Sequence, residues 1–325
     1  MRGTIEIIDV EGSNPPTFDV RVRQMVLQPA DDGSGSFQQA LRISELASGV
    51  VVPAPAEWPI PNDHSANLMT ALPWYLESYL HDPTKGSHLR ASFVQQALFD
   101  WGSEVFTTLL PEGSALDFFD HIALHALVPE GAIEIHSSRP EILGWPWEAL
   151  VDNRGVCVGN LVTIRRHYGA AIDGYYMQPV PLESSGRPLR VLMFVSRSGP
   201  DDVSFRIGAR AIASVEGVEL DLVRSSTIAG LCTHIAEAGE PYDVLHIDCH
   251  GVWDPQRQRC LLQLLGENGS MDLVDADVIA AAVDGGEIPI VVLNACRSAM
   301  VGSDGEAALD SFATLLLERD RKSVV

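Results

Sequence analysis

The sequence has few basic residues: 22 Lys and Arg stand against 44 Asp and Glu among 325 residues, for a net charge of −22. So acidic a chain repels the phosphates of nucleic acids, which excludes nucleic-acid binding as the main function. Two interpretations of the acidity stay open, namely solubility and a preference for basic partners.

Long apolar runs are also missing. No stretch of about 18 apolar residues occurs, so we expect no membrane span and no membrane partner. The first residues, MRGTIEIIDVEGSNPP, lack the basic and then apolar pattern of a secretory signal. The cysteines number 5, and an odd count without such a signal is typical of reduced thiols. We therefore expect a cytoplasmic location.

Phosphate-binding and standard metal-binding motifs are absent as well. No GxGxxG or GxxxxGK[ST] pattern follows the apolar segment RVLMFVS, so a dinucleotide or P-loop site is not expected. His246, Cys249, His250 and Cys260 match no standard zinc finger, and consecutive side chains point to opposite faces of a strand. We expect neither a cofactor nor a metal.

The patterns that are present divide the chain in two. TIEIIDV and FDVRVRQMVL predict a β-hairpin, residues 65–80 and 90–110 have helical spacing, and 131–137 and 161–167 are predicted strands. Residues 178–188 are rich in Pro, Ser and Gly and form the best linker candidate. We predict an N-terminal α+β accessory region over residues 1–180, whose 125–180 part leads into a second domain over 181–325.

The C-terminal part alternates solid apolar strands with helices. Strands are predicted at 190–196, 218–223, 242–248 and 289–295, and helices near 203–214 and at 225–238, 274–284 and 309–319. This rhythm is typical of an α/β fold with a mostly parallel sheet covered by helices on both faces. The final RKSVV resembles the start of a fifth strand, so we expect this domain to be truncated at its C-terminus.

Two predicted strands are each followed closely by a reactive side chain. In parallel sheets, ligands bind beyond the carboxyl ends of the strands. DVLHID is followed by Cys249, His250 and Gly251, and IVVLNA by Cys296 about 45 residues later. A cysteine attacks as the thiolate, which a nearby histidine helps to form. The N–H groups of Gly251 and Cys296 are candidate oxyanion donors. A buried core cysteine is the alternative for Cys296.

Together, HIDCHG and LNACRSA after apolar strands resemble the CHAT domain, a caspase-like cysteine peptidase family of clan CD. The upstream GWPWEALVDNRGVCVGNLVTIRRH is similar to that family's LPWELL…R stretch, so the resemblance covers about residues 125–325. It implies a caspase-like fold, His250 as catalytic histidine and Cys296 as nucleophile of a cysteine endopeptidase. It further implies a protein or peptide substrate and a regulatory protein partner. Cys249 departs from the glycine that is common in the family.

Other roles compete with these. A catalytically inactive caspase-like adaptor that mediates protein–protein assembly is the alternative function. Asp248 and Asp254 are candidate substrate-binding residues, because an acidic pocket floor selects Arg or Lys. Asp248 can equally orient a histidine, and both can cap a loop. We expect Trp145 and Trp147 to be packing residues between the domains.

Overall fold

The computed structural model divides the chain into two compact units, Met1–Asp173 and Gly174–Val325. The structure describes residues 3–29, 37–79, 84–124, 131–169, 187–197, 205–224, 227–254, 256–257, 259–266, 268–295, 312 and 316. The predicted loop at 30–36, most of the predicted linker at 178–188 and the final RKSVV lie outside the described residues.

Unit 1 is built on a five-stranded sheet. Its strands are β1 (Gly3–Asp9), β2 (Thr17–Pro29), β3 (Phe37–Val51), β6 (Gly131–Ser137) and β7 (Thr163–Tyr168), while β4 (Pro59–Ile60) and β5 (Asp63–Asn67) pair separately. The order is β3-β2-β1-β6-β7. The predicted hairpin is confirmed, because β1 and β2 are antiparallel, whereas β6 runs parallel to both β1 and β7.

Helices cover one face of this sheet. They are α1 (Leu68–Pro73), which continues as a π-helical turn at Trp74–Ser78, α2 (Lys85–Leu109), α3 (Ser114–Leu124) and α4 (Pro140–Leu143). Alternate strand residues such as Ile5, Ile7 and Ile135 enter the core between these layers. Trp145 and Trp147 lie in the same core, each with its ring centroid 5.8 Å from that of Phe18, so they pack inside unit 1.

Unit 2 has a six-stranded mixed sheet. Its strands are β8 (Leu189–Ser196), β9 (Val218–Val223), β10 (Val244–Asp254), β11 (Arg259–Leu265), β12 (Met271–Val274) and β13 (Ile290–Asn294). The pairs β8–β9, β8–β10 and β10–β13 are parallel, as expected, while β10–β11 and β11–β12 are antiparallel. The sheet therefore contains more antiparallel pairing than the apolar strands alone predict, because short turns connect β10, β11 and β12 into an antiparallel extension.

Helices pack on both faces of the parallel part of this sheet. They are α5 (Phe205–Ala213), α6 (Ile228–Glu237) and α7 (Ala276–Gly285). Leu245, Ile247 and Cys249 of β10 share a buried core with Leu231 of α6 and Ile279 of α7. On the other face Met193 and Val195 of β8 pack against Ala209 of α5. Of the helix predicted at 309–319, only positions 312 and 316 are described, and both are helical.

None of the described helices combines the length and the apolar character that a membrane-spanning helix needs.

Candidate active site at the strand ends

His250 lies where β10 leaves its parallel neighbours. Cys249 is the last residue of β10 paired with β8, opposite Ser196, and Asp248 is the last paired with β13, opposite Asn294. From His250 onward β10 pairs with the antiparallel β11 instead. His250 therefore stands at the carboxyl edge of the parallel strands, where ligands of such sheets bind.

The strand predicted at 242–248 is longer in the structure, so the prediction that His250 follows the end of the strand is wrong. β10 continues to Asp254, and His250 and Gly251 lie opposite Gln263 and Leu262 of β11. The physical reason is the turn after Asp254, which lets RCLLQLL return as an antiparallel partner. The oxyanion role of the Gly251 N–H stays a prediction.

A cluster of two buried side chains, Arg197 and Asp248, and the exposed Asn294 joins three strand ends beside His250. Arg197, directly after β8, donates through Nε to Asp248 Oδ1, and their side chains are only 6% and 3% exposed. The Nδ2 group of Asn294 donates to the same oxygen at 3.2 Å, and Arg197 Nη2 donates to the Asn294 carbonyl at 3.3 Å. These contacts tie the end of β13 to the ends of β8 and β10, so they fix the point from which the chain leaves toward Cys296.

His246 lies on the same face of β10 as Asp248, two residues earlier. Burial lowers the pKa of His246, although the negative charge of Asp248 acts in the opposite direction. Within the described part of the chain, His246 Nδ1 is buried without a hydrogen-bond partner. His246 is therefore a neutral, partly buried residue of the sheet rather than a satisfied core histidine.

Cys249 points to the opposite face from Asp248 and His250. It is fully buried in the core shared by β10, α6 and α7. The departure from glycine at this position therefore places a small apolar group in the core, where free cysteine is common.

Asp254 shapes the turn that follows β10. Its Oδ1 accepts hydrogen bonds from the backbone N–H groups of Gln256 at 2.9 Å and Arg257 at 3.2 Å. Its Oδ2 also lies 3.6 Å from Arg257 Nε. These contacts are typical of an aspartate that caps a turn, which is one of the two roles expected for it.

Cys296 lies outside the described residues, as does Arg297 after it. The described part of β13 ends at Asn294, two residues before this cysteine in the sequence. The structure thus describes the histidine side of the predicted dyad and the strand that leads to the cysteine.

The family comparison concerns this same part of the chain. Residues 200–325 match the family model of the CHAT domain. CHAT domains are related to caspase-like peptidases of clan CD. The match spans less than half of the chain, includes β10, β13 and Cys296, and begins after the upstream tryptophan segment. Comparisons with curated proteins and with solved structures gave no match.

Two residues of the site were not expected from the sequence. Arg197 follows β8, and Asn294 is the asparagine of the LNACRSA segment in the CHAT match. The motif contained a signal for Asn294, because a polar side chain that ends an apolar strand is placed to bond to the neighbouring strand ends, although Asn294 itself is exposed. Arg197 gave no such signal, since its partner Asp248 lies 51 positions away in the chain.

Proposed function

We propose that the CHAT segment is a cysteine endopeptidase whose catalytic dyad is His250 and Cys296. The register between β10 and β13 carries this proposal. Asp248 pairs with Asn294 in adjacent parallel strands, and each dyad residue follows its paired residue by two positions. His250 shares a face of β10 with Asp248, and the neighbouring strand β13, which ends at Asn294, lies about 4.8 Å away. The equal offset therefore favours an imidazole and a sulfur within reach of each other.

The chemistry follows from this pairing. His250 takes the proton of the Cys296 thiol, and the thiolate attacks the carbonyl carbon of a peptide bond. The N–H groups of Gly251 and Cys296 stabilise the resulting oxyanion. Collapse breaks the C–N bond, the amine leaves with the proton from His250, and water then hydrolyses the thioester.

The contacts of the two acidic candidates favour supporting roles. Because Asp248 is buried and paired with Arg197, a basic substrate side chain would have to displace Arg197 to reach it. We propose that Asp248 positions the strand ends, and that Asp254 caps its turn. The substrate is a cytoplasmic protein or peptide, and unit 1 serves as an accessory domain through which a protein partner regulates cleavage.

A thiol-reactive probe at limiting concentration tests the dyad in the full chain, with peptide mapping of each labelled cysteine. We expect Cys296 to react at least about tenfold faster than Cys232, which is exposed, because only a thiol beside a histidine is enriched in thiolate. His250→Gln should remove the advantage. His234→Gln, in α6 of the same unit, is the matched control and should leave it unchanged.

Hydrolysis of peptides that differ only at P1 then tests the reaction itself. The wild-type chain should release product and Cys296→Ala should not. If Cys296 reacts no faster than Cys232 and no peptide is cleaved, the peptidase proposal fails and the inactive adaptor becomes the better account of the CHAT segment.

A further inference from the structure

A cluster of metal-ligand side chains lies in unit 1, on the sheet face opposite its helical layer. Glu134 and His136 are two positions apart on β6, and His167 is the residue of β7 directly paired with His136. Side chains two positions apart on a strand lie on the same face of the sheet, and so do those of directly paired residues on neighbouring strands. The three side chains are thus brought together by the backbone itself.

The ligand atoms of these side chains converge. Glu134 Oε2 lies 3.7 Å from His136 Nε2 and 3.7 Å from His167 Nε2, and all three atoms lie within 4.8 Å of one another. Two ligands of a tetrahedral zinc ion, each bonded at about 2.1 Å, lie about 3.4 Å apart. The spacing is therefore close to that of an assembled site.

Both imidazoles present a buried nitrogen without a hydrogen-bond partner. His136 is only 8% exposed, and within the described residues neither its Nε2 nor the Nε2 of His167 has a partner that meets hydrogen-bond geometry. A buried nitrogen left in this state costs about 1–3 kcal/mol. Two such nitrogens, each 3.7 Å from the same carboxylate oxygen, mark a position at which one bound ion would give a partner to both.

The carboxylate of Glu134 supplies a negative charge beside the two imidazoles. Its side chain is 14% exposed, and its Oε2 lies within ion-pair distance of both His136 and His167. A carboxylate together with neutral imidazoles is the form of these side chains that binds a metal ion.

Two arginines and a second carboxylate complete the polar face around the cluster. Glu6 of β1 is 1% exposed and lies 3.7 Å from His136 Nε2 through its Oε1. The same oxygen pairs with Arg23 of β2 at 2.6 Å, and Arg165 of β7 donates to Glu134 Oε1 at 3.2 Å. Glu6 is thus occupied by an arginine, whereas Glu134 keeps Oε2 directed at the two histidines.

We propose that Glu134, His136 and His167 bind a divalent first-row transition-metal ion, for which Zn²⁺ is the first probe. Two imidazoles and one carboxylate are a donor set that such ions prefer. Three protein ligands leave a fourth position for water. The site lies in the unit that the CHAT match does not cover, so this proposal does not rest on the proposed dyad.

Binding requires a small rearrangement of the rings. The two imidazoles are stacked, with centroids 4.6 Å apart and planes 10° from parallel. The lone pairs of parallel rings do not converge, so each ring must rotate about its side-chain bonds before both nitrogens face one ion. In the structure the three ligand atoms are thus already grouped, and rotation of the two rings would direct both nitrogens at one point.

Isothermal titration of the chelator-treated full chain with Zn²⁺ tests the proposal. We expect one ion more per chain in the wild-type protein than in His167→Gln, His136→Gln or Glu134→Gln, or an affinity at least about tenfold higher. His88→Gln, which removes an exposed histidine of the same unit, should bind as the wild type does. Co²⁺ should give d–d absorption without thiolate charge transfer, which separates this site from any cysteine site.

Thermal unfolding supplies a second readout. Zn²⁺ should raise the Tm of the wild type and of His88→Gln, but not that of the three ligand variants. If the buried His136→Gln fails to fold, His167→Gln and Glu134→Gln decide the question. Equal Zn²⁺ binding by the wild type and these variants, or none by any of them, would overturn the proposal and leave an ion-paired cluster.

Discussion

Arg197 and Asp248 form an ion pair 2.5 Å long between two almost fully buried side chains at the end of the parallel strands in unit 2. Asn294 joins them through its amide and its carbonyl. A buried charge that loses its partner is costly, so this cluster links the stability of the sheet to the geometry of the strand ends.

Asp248→Asn should therefore destabilise unit 2 by about 3 kcal/mol, because the buried Arg197 would lose the carboxylate that pairs with its Nε. Urea unfolding measures the loss. The control is Arg257→Ala. Arg257 is exposed and pairs with Asp254, the last residue of β10, so its loss should cost about 1 kcal/mol or less. A loss for Asp248→Asn no larger than for Arg257→Ala would contradict this view of the pair.

Gly102 of α2 should not tolerate a side chain. A Cβ there would lie 2.1 Å from the Ala149 carbonyl oxygen, which is backbone and cannot move aside cheaply. Gly102→Ala should cost about 1–3 kcal/mol in thermal or urea unfolding. Gly86→Ala in the same helix has no atom within 4 Å and should be neutral or stabilising by up to about 1 kcal/mol. Equal effects at the two positions would show that α2 is not packed this closely.

Asp243, just before β10, should make stability depend on acid. Arg187 donates to both of its oxygens at 2.8 and 2.6 Å, and the Arg190 N–H adds a third bond at 2.8 Å. Burial raises the pKa of Asp243, but these donors outweigh it and hold the pKa below its ordinary value. The stabilisation is thus present above the unfolded pKa of about 3.9 and disappears as the pH falls through the lower folded value.

Unfolding of wild type and Asp243→Asn between about pH 7 and about pH 3 measures this effect. The wild type should be more stable near neutral pH, and the difference should narrow in acid. We expect a small difference, because Arg187 is exposed and solvent screens the pair. Glu216→Gln, at an exposed position, is the control. A difference that is constant over this range would mean that Asp243 is not held ionised by these donors.

Thr227 should contribute to the stability of α6 through its hydroxyl. The hydroxyl oxygen accepts a hydrogen bond from the Gly230 N–H at 3.0 Å, at the start of the helix. Thr227→Ala should cost about 0.5–2 kcal/mol in chemical unfolding. Thr233→Ala, at an exposed position inside the same helix, should be neutral or slightly stabilising, since alanine is the better helix former. Comparable losses at both positions would argue against the cap.

The sequence predicted local elements well because their signals are local. The β1–β2 hairpin, the solid apolar strands β8, β9, β10 and β13, and the helix predicted at 225–238, of which α6 covers Ile228–Glu237, all follow from neighbouring residues. The extension of β10 to Asp254 was missed, since it depends on pairing with β11 across a turn.

The sites required knowledge of which strands are adjacent. GAIEIHS and LVTIRRH were both predicted as strands, yet nothing local indicated that His136 would pair with His167. The same holds for Arg197 and Asp248, which come together only because β8 and β10 are neighbours. Sequence spacing alone predicts a dyad of His250 and Cys296, because each follows an apolar strand, and this stays a prediction since Cys296 lies outside the described residues.

The continuity of β10 through His250 limits how a dyad can be assembled. At His250 the extended backbone is held by its pairing with Gln263 of β11, which leaves the imidazole its two side-chain torsions as freedom. We therefore expect His250 to keep its position in the inactive and the active form of the proposed peptidase alike.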